Sequence, residues 1–260
     1  MRLAERIRST QVNKGEVALF YLAQAGFCIK TVDNKLMIID AYLSDACERL
    51  FNFRRMTPSV ITAEELDADL YISTHEHADH LDPDSLPVVV KNKKTFFLGS
   101  PDCEELYKQN DISKERYIIL KEGEEWEMAG IKIRAVYADH GELSPRANGL
   151  LINIDGIKIY HTGDTSFRPG EIQESLKTDV DIMIAPINGK FENMNALEAC
   201  NLSLTIKPEI LIASHFWMFL EHVSEEGKGD PATFLKESAD LPKEIKAIVM
   251  APGELLKYSK

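Results

Sequence analysis

Apolar and polar positions change over in short blocks along this chain, and the blocks predict its elements. Leu3 to Ser9 predicts a short helix. Val17–Leu22, Gly26–Thr31 and Leu36–Asp40 are rich in apolar and β-branched residues and are separated by turn-formers at Gln24–Gly26 and Asp33–Asn34, the pattern of three strands. Glu64–Leu66 reads as helical and Leu70–Thr74 as a buried strand. Asp82-Pro83 sets an N-cap before a first-turn proline and predicts a short helix. Thr95–Leu98 then predicts a strand, Pro101–Gln109 a helix, and Tyr117–Leu120, Glu125–Met128 and Ile131–Ala138 strands. Gly149–Ile154 and Ile157–His161 flank Asp155-Gly156, a strong two-residue hairpin signal. The last third alternates: strand Asp181–Ala185, helix Met194–Ile206, strand Ile210–Ser214, helix Pro231–Glu237, strand Ala247–Met250.

A strand-rich first half and an alternating second half predict an α/β (α+β) class, a mixed pair of sheets covered by helices. No linker, low-complexity tract or short-period repeat divides the chain, so a single domain over residues 1–260 is expected.

Composition narrows the function classes. The chain has 260 residues, 44% hydrophobic and 28% charged, with a formal net charge of -12. That acidity works against nucleic-acid or anionic-membrane binding, which needs a basic face. An anionic small substrate stays open, because a local Arg or Lys or a bound metal can reverse the field inside a pocket. Cys28, Cys47, Cys103 and Cys200 are widely spaced with no Cys-x-x-Cys pair, which predicts buried free thiols in a reducing compartment. Met1 to Thr10 is charged and has no signal-peptide pattern, and no apolar run approaches the ~18 residues of a membrane span. A cytoplasmic protein acting on a small molecule is expected, with a homo-oligomer left open.

The chemistry centres on Thr74-His75-Glu76-His77-Ala78-Asp79-His80, directly after the apolar strand ending at Ser73. Neutral imidazoles and carboxylates are the usual ligands of zinc and related divalent metals. A tight loop can turn His75 and His77 towards one metal and Asp79 and His80 towards a neighbour; the alternative is a histidine-rich surface loop. His140, Asp164 and His215 each follow a predicted strand or hairpin, where open sheets place functional groups. Each alone is more often a cap or a hydrogen-bonded surface group.

His75-x-His77-x-Asp79-His80, followed by His140, Asp164 and His215, resembles the ordered motifs of the metallo-β-lactamase superfamily over nearly the whole chain. The resemblance implies a four-layer αββα sandwich, the metallo-β-lactamase fold, with the site along one edge of two facing sheets. By motif position, His75, His77 and His140 would hold the first of two divalent metal ions. Asp79, His80 and His215 would hold the second, and Asp164 would bridge them. Zn²⁺ and Mn²⁺ both suit such ligands. A narrower resemblance is to the branch containing the L-ascorbate-6-phosphate lactonases. It is carried by Leu22-Ala23-Gln24-Ala25-Gly26-Phe27, Ile39-Asp40-Ala41-Tyr42-Leu43-Ser44-Asp45, Tyr160-His161-Thr162-Gly163-Asp164 and Pro186-Ile187-Asn188-Gly189-Lys190.

Such a site implies a hydrolase whose nucleophile is a metal-bridging hydroxide, with Asp79 and Asp164 as the catalytic carboxylates. The expected substrate is a lactone or similar small ester, with or without a phosphate like that of the branch it resembles; the alternative is a small-substrate phosphodiesterase or nuclease. Asp40 is expected behind a metal-bound imidazole or as a turn cap, and His161 behind Asp164 or as a buried structural histidine. Arg146, Asn188, Lys190 and His222 are candidates to contact the substrate, Arg146 and Lys190 through a phosphate or carboxylate. A solvated surface charge explains either cation as well.

Overall fold

The computed structural model describes residues 1–223 and 229–260. Among these residues the chain forms two seven-stranded sheets. Strands β1 (Glu16–Ala23), β2 (Gly26–Lys30), β3 (Leu36–Ile39), β4 (Leu70–Ser73), β5 (Phe96–Gly99) and β6 (Tyr117–Ile119) belong to the first. Strands β7 (Glu125–Met128), β8 (Ile131–Val136), β9 (Gly149–Ile154), β10 (Ile157–His161), β11 (Ile182–Pro186), β12 (Ile210–Ser214) and β13 (Lys246–Ile248) form the second. The last strand, β14 (Leu255–Ser259), returns to the first sheet and pairs antiparallel with β1. Each sheet changes character midway. β1 to β3 run antiparallel and β3 to β6 parallel; β7 to β10 run antiparallel and β10 to β13 parallel.

The helices are α1 (Leu3–Ser9), α2 (Ala46–Phe51), α3 (Leu86–Val89), α4 (Glu104–Gln109), α5 (Pro169–Leu176), α6 (Ala196–Ile206), α7 (Leu220–Val223) and α8 (Pro231–Ser238). The period-two side-chain alternation of the strands explains the four layers. In β1, Val17, Leu19 and Tyr21 pack inward against Ile152, Ile159 and Ile184 of the second sheet, within one cluster. Ala18, Phe20 and Leu22 pack outward with Ala4 and Ile7 of α1 and Tyr107 of α4. On the far side, Tyr160, Met183 and Leu211 pack with Ile172 of α5, Ala199 and Leu202 of α6 and Phe234 of α8. Because both faces of the central strands are covered, their sequence reads as continuous apolar runs rather than as alternation.

The expected αββα sandwich is the observed one. The hairpin at Asp155-Gly156 is also as expected, with positive φ at both residues (51° and 87°), as its turn type requires. The expected helix at Asp82 starts later, at Leu86. Asp82 is instead wholly buried, accepting from the backbone N–H groups of Leu43 and Ser44 as well as from Ser85. The patterning gives no signal for α2, α5, α7 or β14, which are short or take their stability from tertiary pairing.

Ile184 lies on β11 between two parallel neighbours and is fully buried in the inter-sheet core. Ile184→Ala should lower the unfolding free energy by about 3–4 kcal/mol, from lost burial plus the cavity left behind. Urea titration should show the midpoint falling with little change in slope.

Candidate metal centre

The carboxyl ends of β3, β4, β10, β11 and β12 meet along one edge of the sandwich, the place where open sheets present ligand-binding groups. Beyond β4 the chain turns back on itself: the His80 and Leu81 N–H groups donate to the His77 carbonyl at 2.9 and 2.8 Å. Asp164 follows β10 after Gly163. A Cβ on Gly163 would stand 2.6 Å from the Asn148 carbonyl and 3.2 Å from Thr74 Cβ, and its φ is +63°. Only glycine allows the three loops this approach. His215 follows β12 with φ 56°, and its N–H donates to the Gln24 carbonyl at 2.8 Å, tying the two sheets together at the site.

The side chains converge. His75 Nε2 lies 2.9 Å from His77 Nδ1, and His140 Nε2 lies 3.3 Å from that same Nδ1. His80 Nε2 stands 3.3 Å from Asp164 Oδ1. His215 Nε2 stands 3.2 Å from Asp164 Oδ2 and 3.4 Å from Asp79 Oδ2. His140 Nε2 is 3.8 Å from Asp164 Oδ2. Three overlapping sets have their donor atoms within 4.8 Å of one another: His75, His77 and His140; His75, His80 and Asp164; Asp79, His80 and His215. Asp164 thus faces both imidazole groups.

The hydrogen bonds around the cluster fix which nitrogens face inward. His77 Nε2 must donate to the Leu143 carbonyl, 3.1 Å away, which leaves Nδ1 as a lone pair in the neutral ring. The Thr74 hydroxyl gives its proton to Asp40 Oδ2 at 2.7 Å, so it can only accept from His75 Nδ1 at 3.0 Å. The His75 Nε2 lone pair then points into the cluster. His80 Nδ1 donates to Asp40 Oδ2 at 2.9 Å, turning Nε2 inward. His80 Nε2 and Asp164 Oδ1, both facing into the cluster, are buried with no hydrogen-bond partner. Buried polar atoms left this way are costly unless something completes them. Nitrogen and carboxylate donors in this arrangement suit a divalent cation.

The electrostatics agree. Burial opposes charge on His80, but the Asp164, Asp40 and Asp79 carboxylates outweigh it and raise its pKa well above the ordinary value. His215 is likewise pushed up, to about 9, against its burial by Asp164 and Asp79. Burial and neighbouring imidazoles hold His75 well below the ordinary value, and His140 falls to about 4, in each case against the pull of Asp164. Asp164 is held well below the carboxylate range, the His215 and His80 imidazoles overcoming its burial. The half of the cluster containing Asp79, His80 and His215 therefore retains protons that a metal would displace.

A sequence profile described as the Beta-lactamase superfamily domain matches residues 18–215. The chain belongs to the metallo-β-lactamase superfamily. It is 28% identical over 252 residues to a UPF0173 metal-dependent hydrolase of Thermococcus onnurineus, covering 93% of this chain and 99% of that one. A protein of the same description from Polynucleobacter asymbioticus is 26% identical over 263 residues, covering 94% and 87%. Among solved structures the fold is similar to Igni18, a novel metallo hydrolase from Ignicoccus hospitalis, with TM-score 0.75, 22% identity and coverage of 94% and 99%. An isothiocyanate hydrolase from Delia radicum gut bacteria superposes with TM-score 0.74 at 19% identity, covering 93% and 99%.

Around this superfamily edge, Asp40 is wholly buried and binds Thr74 and His80, the position expected behind the ligands. His161 touches no candidate ligand side chain. Its Nε2 faces the Ala25 carbonyl at 2.9 Å and its Nδ1 accepts from the Gly163 N–H at 3.1 Å, so it acts on the turn that carries Asp164. Three supporting residues escaped the sequence reading. Gln24 Nε2 donates to Asp79 Oδ2 at 2.6 Å, Asn193 Nδ2 donates to Asp164 Oδ2 at 2.7 Å, and Thr74 joins Asp40 to His75. Each is a neutral side chain whose role depends on contacts distant in sequence.

The cluster opens into a cleft of about 420 Å³, lined by His77, Asp79, His140, Asp164, His215 and His222 on its polar side. Among the described residues no Lys or Arg lines it. Two expectations are corrected here. Arg146 points away: its guanidinium is held by Asp102, with Nε 2.7 Å from Oδ1, and it is absent from the cleft wall. Asn188 and Lys190 are not on the wall of this cleft; they line a small adjoining space of about 20 Å³ beside Gln24 and His215. His222 lines both spaces.

Asp40→Asn should leave the fold intact but weaken divalent-metal affinity by about 10- to 100-fold, because the carboxylate orients two imidazoles. Competition against a chromogenic chelator measures it, and unchanged affinity would remove Asp40 from this role. In the metal-stripped protein the His215 pKa of about 9 stands above the unfolded value near 6.5. Its stabilising charge is complete below pH 6.5 and is lost as the pH rises through 9. The urea midpoint of the stripped protein should fall across that window; a flat or rising midpoint would contradict the ion pairs with Asp79 and Asp164.

Proposed function

We propose that this chain is a single-domain, metal-dependent hydrolase that opens a small lactone or related ester. The observation that carries this reading is the convergence of His75, His77, Asp79, His80, His140, Asp164 and His215 on one buried cluster with inward lone pairs and unpartnered donor atoms. The assignment we favour is two ions, Zn²⁺ or Mn²⁺: one with His75, His77 and His140, a second with Asp79, His80 and His215, and Asp164 between them. Relatives described as metal-dependent hydrolases support the metal dependence. Four buried free cysteines support a reducing compartment such as the cytoplasm.

When bound, the metal supplies Lewis acidity, lowering the pKa of water towards neutrality and polarising a carbonyl. The chain's own residues do the rest. Asp79 reaches the cleft, and the Gln24 amide holds its Oδ2, so the carboxylate is aimed to orient the attacking water and take its proton. Asn193 fixes Asp164 so that it keeps facing both imidazole groups. His222, its pKa lowered by burial and by Lys190, presents a neutral imidazole at the cleft wall as a hydrogen-bonding group for the substrate. Phosphodiester chemistry is the poorer fit, since a charged phosphate gains from cationic side chains that the described cleft lining lacks.

The metal-loaded protein should hydrolyse simple lactones and leave phosphodiesters intact when the two classes are assayed side by side. Asp164→Ala should reduce lactone turnover by more than about 100-fold, since a group facing both metal positions is lost. Turnover of phosphodiesters alone would reverse the choice of substrate. Lactone turnover that survives Asp164→Ala would place the activity elsewhere.

A further inference from the structure

The cleft over the cluster has a second wall, and that wall is apolar. Leu50 and Phe51 come from α2, Leu143 from the loop after His140, and Phe191 from the loop after β11. These side chains are 47%, 53%, 47% and 48% exposed. Large apolar groups gathered this openly around one opening mark a binding surface rather than a core. Beneath them Phe53 joins the group into a continuous surface. Its ring lies 5.9 Å from Phe51, 6.3 Å from Phe191, 5.7 Å from Phe219 and 4.4 Å from His222.

The backbone adopts an unfavourable conformation to build this wall. Phe191 and Glu192 both sit in the left-handed region, at φ 52° and 63°, where non-glycine residues are costly. The strained turn is pinned at both ends: the Asn193 N–H donates to the Lys190 carbonyl at 3.0 Å and the Met194 N–H to the Thr165 carbonyl at 3.0 Å. Asn193 from the same turn holds Asp164. One strained loop therefore sets both a candidate metal ligand and the aromatic rim above it.

The charge on the cleft disfavours an anionic far end on the substrate. Its carboxylate lining is Glu76, Asp79 and Asp164, and with Asp79 and Asp164 committed to the metal ions Glu76 remains. Away from the metals, a phosphate or carboxylate would face Glu76 and the apolar wall with no Lys or Arg among the described lining residues to meet it.

We propose that the substrate is a neutral lactone or ester carrying an apolar tail, with the tail laid along Leu50, Phe51, Phe53, Leu143, Phe191 and Phe219 while the carbonyl faces the metal cluster. This rests on the hydrolytic reading above and names its substrate class. The cleft, at about 420 Å³, is of the size that encloses a small molecule rather than a polymer.

The test is a chain-length series on the metal-loaded protein: γ-butyrolactone, γ-octalactone and γ-dodecalactone, with a phosphorylated sugar lactone alongside. Each buried methylene can raise kcat/KM by up to roughly four-fold. The expected rise from the shortest to the longest lactone is at least about 30-fold, with the phosphorylated compound poorest. Phe51→Glu, a change at a half-exposed side chain, should cut the long-to-short ratio by about 10-fold. A γ-lactam with an octyl tail, which is not hydrolysed, should bind the metal-free protein in calorimetry and lose a similar factor in Phe51→Glu. A flat chain-length profile, or preference for the phosphorylated lactone, overturns the tail while leaving ester hydrolysis standing. If no lactone of any length is hydrolysed, the lactone reading fails, and lactam binding to the metal-free protein still decides the tail pocket by itself. If the lactam does not bind and the protein is instead a dimer that Phe51→Glu dissociates, the apolar wall belongs to a second copy and the proposal is overturned.

Discussion

Two carboxylates stand inside a knot of imidazoles at the edge of this sandwich, and a buried carboxylate needs positive charge beside it. Asp164 is almost completely buried, and Asp79 is partly exposed towards the cleft. In the metal-free chain His80 and His215 meet the need by holding protons at raised pKa. The opposite half of the cluster cannot share in this, because His75 and His140 are driven towards neutrality. The result is an asymmetric site. One side presents neutral nitrogen lone pairs, the other holds protons that a metal replaces, and Asp164 faces both. Coupling of this kind makes metal affinity depend on pH and makes metal binding part of the stability of the fold.

The surroundings follow from that demand. Asp40 stands behind two of the imidazoles, one directly and one through the Thr74 hydroxyl, so that a single buried group sets the rotation of both rings. Gln24, Asn193 and His161 secure the other side, binding Asp79, Asp164 and the turn before Asp164. Supporting groups of this kind commonly affect metal affinity nearly as much as the ligands. The strands contribute by position. Their parallel members all end at the same edge, and Gly163 lets the β4 and β10 loops approach closely enough for His75 and Asp164 to share a cluster.

Much of this was legible in the sequence because it is local. The His75–His80 segment announces itself, and His140, Asp164 and His215 stand out by following strands whose apolar runs mark them as buried. The mixed pair of sheets covered by helices was legible for the same reason, while the four-layer order and the grouping of the ligands came through the resemblance to the metallo-β-lactamase superfamily. Less could be read where side-chain meaning depends on distant neighbours. Arg146 looked like an anion clamp, but Asp102 lies close enough to take it away from the cleft. Lys190 lies beside His215 and His222 but on an adjoining space rather than on the cleft wall. Gln24, Thr74 and Asn193 are uncharged and give no spacing signal. The apolar wall was hidden as well: Leu50 and Phe51 lie on a helix too short to show periodicity, and Phe191 in a loop held by strain that sequence does not display.

Hydrolysis at this edge requires that divalent metal enter the cluster. Crystals grown with Mn²⁺ or Zn²⁺ and measured at the absorption edge of the metal give the answer directly. Two anomalous peaks are expected, one among His75, His77 and His140 and one among Asp79, His80 and His215, with Asp164 between them. A cluster without anomalous density, in crystals whose metal lies elsewhere on the protein, would contradict metal binding here.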